Sequence, residues 1–284
     1  MVNNKIDWRR SPQVGVFRPN DERMVTAVEL LEEYGITPIP DPMLSVEPTG
    51  TIPEIDTVSD ASPFVVLTSK TGVEILADAG WNPTVATLVC IGPRTAAAAR
   101  DVGWTVDIIP TEYSSQGLVD ALADQVTDRS VIIARSDHGS ETLIDGLDAA
   151  GAAVTETVLY KLVRPDGTGQ STVMAAGNEL DAVCFTSSLT VEHFLSAAAN
   201  RELREETIMG LNNAVVGTIG EPTRETAQAH GVRVDVTPAD ATFEHLVEAV
   251  VNELQTGQLS SDIDETDVAD NKTESVESYD DRQV

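Results

Sequence analysis

Short runs of apolar, mostly β-branched residues recur along the chain, and segments with helical spacing lie between them. The runs are Val14–Phe17, Thr37–Ile39, Phe64–Leu67, Thr87–Ile91, Val106–Ile109, Val131–Ala134, Val154–Thr157, Ala182–Phe185, Ala214–Thr218 and Arg233–Val236. Between them, Met24, Ala27, Val28 and Leu31 fall on one helical face, as do Leu143, Ile144 and Leu147. A later segment does the same with Phe243, Leu246, Val247, Val250 and Leu254. Near-continuous apolar strands alternating with amphipathic helices predict parallel sheets covered on both faces, an α/β fold.

The pattern also repeats. Ile91-Gly-Pro-Arg-Thr95 is echoed by Ile219-Gly-Glu-Pro-Thr223, 128 positions later, and Gly103, Val106, Asp107, Pro110 and Leu118 meet Gly231, Val234, Asp235, Pro238 and Leu246 at the same shift. Leu67-Thr-Ser69 is echoed by Phe185-Thr-Ser187, and Phe17-Arg18-Pro19 by Ala134-Arg135-Ser136, at shifts of 118 and 117. These blocks predict two similar domains. Their order differs between the copies, and two N-terminal strands cannot form a stable sheet alone. They must complete the C-terminal strands. The expected architecture is therefore two parallel-sheet, flavodoxin-like domains, one inserted into the other, with a two-stranded hinge and a cleft between them. Residues 1–40 and 165–255 would form the discontinuous domain and 41–164 the inserted one. Residues 256–284 would form a disordered acidic tail.

Candidate chemistry sits where each apolar run meets the following helix. In parallel sheets those turns lie at the carboxyl ends of the strands, where ligands bind. They hold Ser69, then Gly92, Arg94 and Thr95, then Ser187, then Gly220 and Thr223. Serine or threonine there caps a helix, while free amides at a helix start hold anions without any lysine or arginine. Arg18 and Arg135 end matched strands and are candidate carboxylate clamps. Tyr160 closes the run Val154–Leu159 at a domain crossing, either packing the hinge or pointing its hydroxyl into the cleft.

Composition narrows the choice. The chain has 284 residues with 18 basic and 47 acidic side chains, a net charge of −29. Such a balance argues against nucleic acid and anionic membrane as partners. Residues 259–284 carry 9 acidic and 2 basic groups, so most of the charge is spread over the body, as in a cytosolic protein of a halophile. No signal peptide or membrane span is legible. Nothing in the pattern exposes an apolar face, which points to a monomer. Cys90 and Cys184 lie in apolar runs and read as core thiols. His138, His193, His230 and His245 have no metal-ligand spacing. No dinucleotide fingerprint, phosphate-binding loop or nucleophile elbow occurs. No metal or cofactor is expected. What remains is a hinged cleft suited to a small polyanion.

The blocks Val16-Phe-Arg-Pro19, Val66-Leu-Thr-Ser69, Cys90-Ile-Gly-Pro-Arg-Thr95, Val131-Ile-Ile-Ala-Arg135, Val158-Leu-Tyr160, Cys184-Phe-Thr-Ser187 and Ile219-Gly-Glu-Pro-Thr223, in this order, resemble the uroporphyrinogen-III synthase family over residues 14–254. The resemblance implies a hydro-lyase acting on hydroxymethylbilane, a linear tetrapyrrole with carboxylate arms, and closing it with the last ring inverted through a spiro intermediate. It also implies that Tyr160 assists the departing hydroxyl and that Ser69, Thr95, Ser187 and Thr223 line the cleft. Glu221 is a departure, an acid where the inserted copy has Pro93. The competing class is a two-domain module that binds a small molecule without catalysis.

Dispersed acidity carries its own expectation. At 1 M salt the Debye length is about 3 Å, so repulsion between the acidic surface and an acidic substrate is muted while close amide contacts survive. Conversion of hydroxymethylbilane should therefore need molar KCl. Equal rates in dilute buffer and molar KCl would refute the salt-adapted reading.

Overall fold

A computed structural model describes Ile6 and residues 8–55 and 62–257. The predicted tail from 258 onward lies outside the described residues. The chain divides into two compact units, one of Met1–Ser45 with Arg164–Val284 and one of Val46–Val163. We call them the discontinuous unit and the inserted unit.

The strands are β1 (Gln13–Val16), β2 (Thr37–Pro40), β3 (Ser45–Pro48), β4 (Phe64–Leu67), β5 (Thr87–Cys90), β6 (Ser130–Ser136), β7 (Ala153–Val163), β8 (Ala182–Phe185) and β9 (Val215–Thr218). The helices are α1 (Glu22–Glu33), α2 (Lys70–Asp78), α3 (Pro93–Asp101), α4 (Ser115–Leu122), α5 (Glu141–Ala149), α6 (Gln170–Ala176), α7 (Ser188–Ala199), α8 (Arg204–Asn213) and α9 (Glu221–Ala229). A further helical run spans 243–257. Among the described residues no helix is long and apolar enough to cross a membrane.

The discontinuous unit orders its sheet β2-β1-β8-β9, and the inserted unit β3-β7-β6-β4-β5. The registers reproduce the repeat. Val14 pairs with Ala182 and Val131 with Phe64, while Ala182 pairs with Val215 and Phe64 with Thr87. These pairs differ by the same shifts of 117, 118 and 128 that relate the sequence blocks. Four strands of each sheet thus share one order, entered by the chain at different points, and β3 is an extra edge strand of the inserted unit.

Alternation along each strand builds two cores per sheet. In the inserted unit Phe64, Val66, Val131 and Ile133 face α4 and α5, while Val65, Leu67, Ile132 and Ala134 face α2 and α3. In the discontinuous unit Val14, Val16, Ala182 and Cys184 meet α1 and the run 243–257, and Phe17, Val183 and Phe185 meet α7. Burying one such large apolar side chain stabilises by about 1.5–3 kcal/mol. The few aromatics gather at two points: the Phe17, Phe185 and Phe194 rings lie 4.9–5.5 Å apart, and Trp81 meets Trp104 edge-on at 5.4 Å. Cys90 and Cys184 are fully buried, and burial pushes both thiols up to about 12.

Three expectations change. The hydrophobic pattern does not predict β3; its residues Ser-Val-Glu-Pro are mostly exposed and carry no buried-strand signal. β7 runs to Val163, past Tyr160, where the sequence pattern ends the run. The segments 106–109 and 233–236 are not full strands, for each makes one parallel bridge, Ile108 to Val89 and Val236 to Gly217. The cause is an aspartate in each. Asp107 accepts the Leu88 amide at 2.8 Å through its side chain, and Asp235 accepts the Val216 amide at 2.9 Å. A carboxylate stands where a main-chain carbonyl would continue the ladder.

A buried carboxylate organises the discontinuous unit. Asp41, just after β2, accepts the Gly169 and Ser171 amides, both at 2.8 Å, and the Ser171 hydroxyl. It thereby supplies the N-terminal cap that Gly169 cannot give α6.

Replacing Asp107 by alanine strands a buried amide, which costs about 1–3 kcal/mol. Asp235→Ala should cost a similar amount, and the double variant should be additive because the residues belong to separate units. Urea unfolding of the three variants checks this. A cost below about 0.5 kcal/mol would mean that water replaces the carboxylate.

Candidate functional site

The predicted turns all follow the carboxyl ends of strands, but their helix starts are of two kinds. Ser69 caps α2 by accepting the Gly72 amide at 3.0 Å, and Ser187 caps α7 in a reciprocal box with Thr190. The Ser187 hydroxyl is directed to Thr190 Oγ1 at 3.4 Å and is used locally. Helices α3 and α9 differ. Their N-caps are Gly92 and Gly220, and neither has a side-chain cap. Amides in the first turn of a helix have no intrahelical partner, so these two starts remain open to an anion. Both glycines have extended backbones, and a Cβ at Gly220 would meet nothing within 4 Å. Left-handed geometry therefore does not explain the glycine. The absence of a side chain keeps the approach to the amides clear.

The third helical position repeats the likeness. Thr95 and Thr223 are each only 4% exposed. Among the described residues neither hydroxyl has a hydrogen-bond partner. Buried hydroxyls are normally paired, so two unpaired ones at equivalent places beside uncapped helix starts leave hydrogen-bonding capacity that a ligand oxygen could use. Arg94 is exposed in the first turn of α3, without an ion-pair partner among the described residues. In α9 the corresponding residue is Pro222, and the unfavourable Glu221 is partly neutralised by Arg224 at 3.5 Å. Ser188 at the start of α7 is tied to α9 by donating to the Pro222 carbonyl at 3.0 Å and accepting from the Thr226 hydroxyl at 2.8 Å.

Tyr160 projects from β7 and is buried, with its hydroxyl 3.0 Å from Ser69 Oγ. The strand register Ser136↔Tyr160 and the α2 cap bring together residues 91 positions apart.

The arginines part company. Arg18 is half-buried at the end of β1, with its guanidinium 4.6 Å from the centre of the Phe243 ring. Burial and the neighbouring Arg23 lower its pKa, while Glu244 and Asp21 oppose that shift. Arg135 corrects the expectation of a carboxylate clamp. It is 2% exposed, bonds to Glu156 and to the Ser140 carbonyl at 2.5 Å each, and reaches Glu141 at 3.4 Å. A Cβ on Gly139 would come within 2.3 Å of its side chain. The guanidinium is consumed inside the unit, because β6 runs past the length of its sister β1 and carries Arg135 within the sheet.

Among the described residues no group of three or more histidine, cysteine, aspartate or glutamate side chains is placed to hold a metal ion.

Residues 25–248 match the family model described as uroporphyrinogen-III synthase HemD. A relative from Methanothermobacter thermautotrophicus that carries the uroporphyrinogen-III synthase name is 34% identical over 248 residues, covering 84% of this chain and 96% of its own. The uroporphyrinogen-III synthase of Synechococcus elongatus is 24% identical, covering 78% and 87%. In fold, the chain is similar to crystal structures of uroporphyrinogen III synthase from Thermus thermophilus and uroporphyrinogen-III synthetase from Helicobacter pylori. Their TM-scores are 0.60 and 0.53, at 18% and 14% identity; the alignments cover 87% and 84% of this chain and 99% and 97% of theirs.

The two arginines should separate in a stability experiment. Arg135→Met removes a buried guanidinium with its charge-assisted hydrogen bonds, leaves the partly exposed Glu156 carboxylate to water, and should cost about 1.5–3 kcal/mol. Arg18→Ala should cost no more than about 1 kcal/mol. Urea midpoints decide it, and equal midpoints would return Arg135 to the list of available cations.

Proposed function

The chain belongs to the uroporphyrinogen-III synthase family, and from that premise we propose that it removes water from hydroxymethylbilane and closes the chain to uroporphyrinogen III as a cyclising hydro-lyase. Membership places it among enzymes of porphyrin and heme biosynthesis. The observation that supports the substrate class best is the pair of uncapped helix starts at Gly92 and Gly220, each with a buried, unpartnered threonine. Two anion seats built from amides and hydroxyls suit a ligand bristling with acetate and propionate arms. They do so in a chain too acidic to attract it by long-range charge. Arg94 and Arg18 are the cations proposed to join them.

Hydroxymethylbilane and its product differ by one water, so no redox partner is called for. In the proposed sequence the terminal hydroxyl leaves with a proton from Tyr160, giving an azafulvene cation. The substituted α-carbon of the last ring attacks that carbon and forms the spiro centre. The original bond to this ring breaks, the ring recloses through its free α-carbon, and the proton lost there restores the phenol. Ser69 is proposed to poise the tyrosine. Its oxygen accepts the Gly72 amide. Donating its own hydrogen to Tyr160 leaves the phenolic proton free for the leaving group, and each bond in such a chain polarises the next. Ring closure without inversion is the competing spontaneous path. The enzyme's task is then mostly to hold a flexible chain in the geometry for spiro attack.

The isomer ratio tests the proposal. Hydroxymethylbilane supplied to the protein should yield type III product above the type I background, and type I alone would refute it. Tyr160→Phe should lower kcat by about tenfold or more while costing about 1 kcal/mol of stability for the lost hydrogen bond. An unchanged kcat would leave Tyr160 a packing residue.

A further inference from the structure

Tyr113 has no role in the mechanism above. It is 61% exposed, more than any other large apolar side chain among the described residues, and its hydroxyl has no partner there. A single exposed apolar residue is ordinary. Its setting is not, because the turn that displays it is rigid. Ser114 caps α4 by accepting the Gly117 amide at 3.0 Å, donates its hydroxyl to Glu112 Oε1 at 2.7 Å, and donates its amide to the Glu112 carbonyl at 2.9 Å. Gly117 lies so close that a Cβ there would stand 2.0 Å from the Glu112 carbonyl oxygen. The backbone on both sides of Tyr113 is therefore fixed.

That turn lies against the open start of α3. A Cβ built on Gly92 would meet Tyr113 Cβ and Cγ, each at 3.3 Å, and Cδ1 at 3.6 Å. Glycine at 92 thus lets the base of the tyrosine sit on the N-cap while most of the side chain stays open to solvent. The sister site has no such wall. Nothing lies within 4 Å of the equivalent point on Gly220, and the residue 128 positions after Tyr113 is Ala241, which has no ring to offer. An aromatic wall beside an anion seat is therefore a feature of the inserted unit alone.

We propose that Tyr113 is a substrate-binding residue whose ring stacks on one pyrrole of the linear tetrapyrrole while an acidic arm of that pyrrole sits on the first-turn amides of α3 and the Thr95 hydroxyl. The inference rests on the reading of α3 as a carboxylate seat. The chemistry matches in reach: an acetate carboxyl carbon is two bonds from its ring and a propionate carboxyl three, so one pyrrole can use both neighbours. The Glu112 carboxylate does not compete with the arm, since it is turned back onto the Ser114 hydroxyl. Stacking is sequence-neutral among the four pyrroles, so Tyr113 contributes affinity and the amides set which arm is held.

The test compares Tyr113→Ala, Leu, Phe and Trp in the full chain. An aromatic pair contributes about three- to tenfold in affinity. The alanine and leucine variants should raise KM for hydroxymethylbilane by about that factor, with kcat within about twofold, while phenylalanine and tryptophan should stay near the parent. The thermal midpoint should scarcely move, because the side chain is exposed. A second readout is equilibrium binding of uroporphyrin III, the stable oxidised product, which carries the same acidic arms. Its affinity should fall in the alanine and leucine variants and not in the aromatic ones. Leucine matching phenylalanine in both readouts, or alanine matching the parent, overturns the proposal. Type I product from the parent alone, with uroporphyrin binding still dependent on Tyr113, would instead overturn the proposed reaction and keep the stacking contact.

Discussion

Each helix that follows a parallel strand begins with amides that its own hydrogen-bond ladder cannot satisfy. What this chain does with those amides decides what each strand end can do. At α2, α4, α5 and α7 a serine closes the helix start with its own oxygen. At α6 the distant Asp41 does so. At α3 and α9 glycine leaves the amides open. The first two solutions commit the polar capacity to the fold, and the third leaves it uncommitted. A side-chain cap contributes about 1 kcal/mol, so leaving two helices bare gives up a stabilisation that the same scaffold obtains elsewhere.

The repeat explains why there are two such sites. Four strands of each sheet have the same order and matching registers, yet the chain enters them at different strands. Equivalent turns therefore arise from segments with unequal neighbours. Equivalence holds where the sheet dictates it, at Gly92 and Gly220, at Thr95 and Thr223, and at Asp107 and Asp235. It fails where the surroundings differ. Arg18 lies over Phe243, while Arg135 is locked onto Glu156. Glu221 is balanced by Arg224, while Arg94 stands alone among the described residues.

What the sequence makes legible follows the same division. β4 is readable at both ends because all four of its residues are buried and apolar. β3 is invisible because a half-exposed edge segment ending in proline has neither run nor alternation. The segments around Val106 and Val234 look like strands because apolar runs reveal burial, not who supplies the hydrogen bond. Asp107 and Asp235 supply it with a carboxylate. Among the site residues, the turns are legible from their repetition, and Arg224 could have been found from its spacing of three from Glu221. The commitment of Arg135 is not legible. Glu156 is 21 positions away, and only the β6–β7 register puts them side by side. The contact between Tyr160 and Ser69 is hidden for the same reason.

Acidity and acidic ligand are reconciled by length scale. A net charge of −29 repels a polycarboxylate at a distance, and salt shortens that distance to a few ångströms. Amide donors at a helix start act within hydrogen-bond reach, where screening by salt is weak. A lysine-rich site would bind the same arms, but its attraction would be screened by the salt that removes the repulsion. Main-chain amides and buried hydroxyls would keep their strength in such salt, which fits the proposed function. Under the proposed function, the task of holding carboxylates falls to main-chain amides, in a chain with only 18 basic residues.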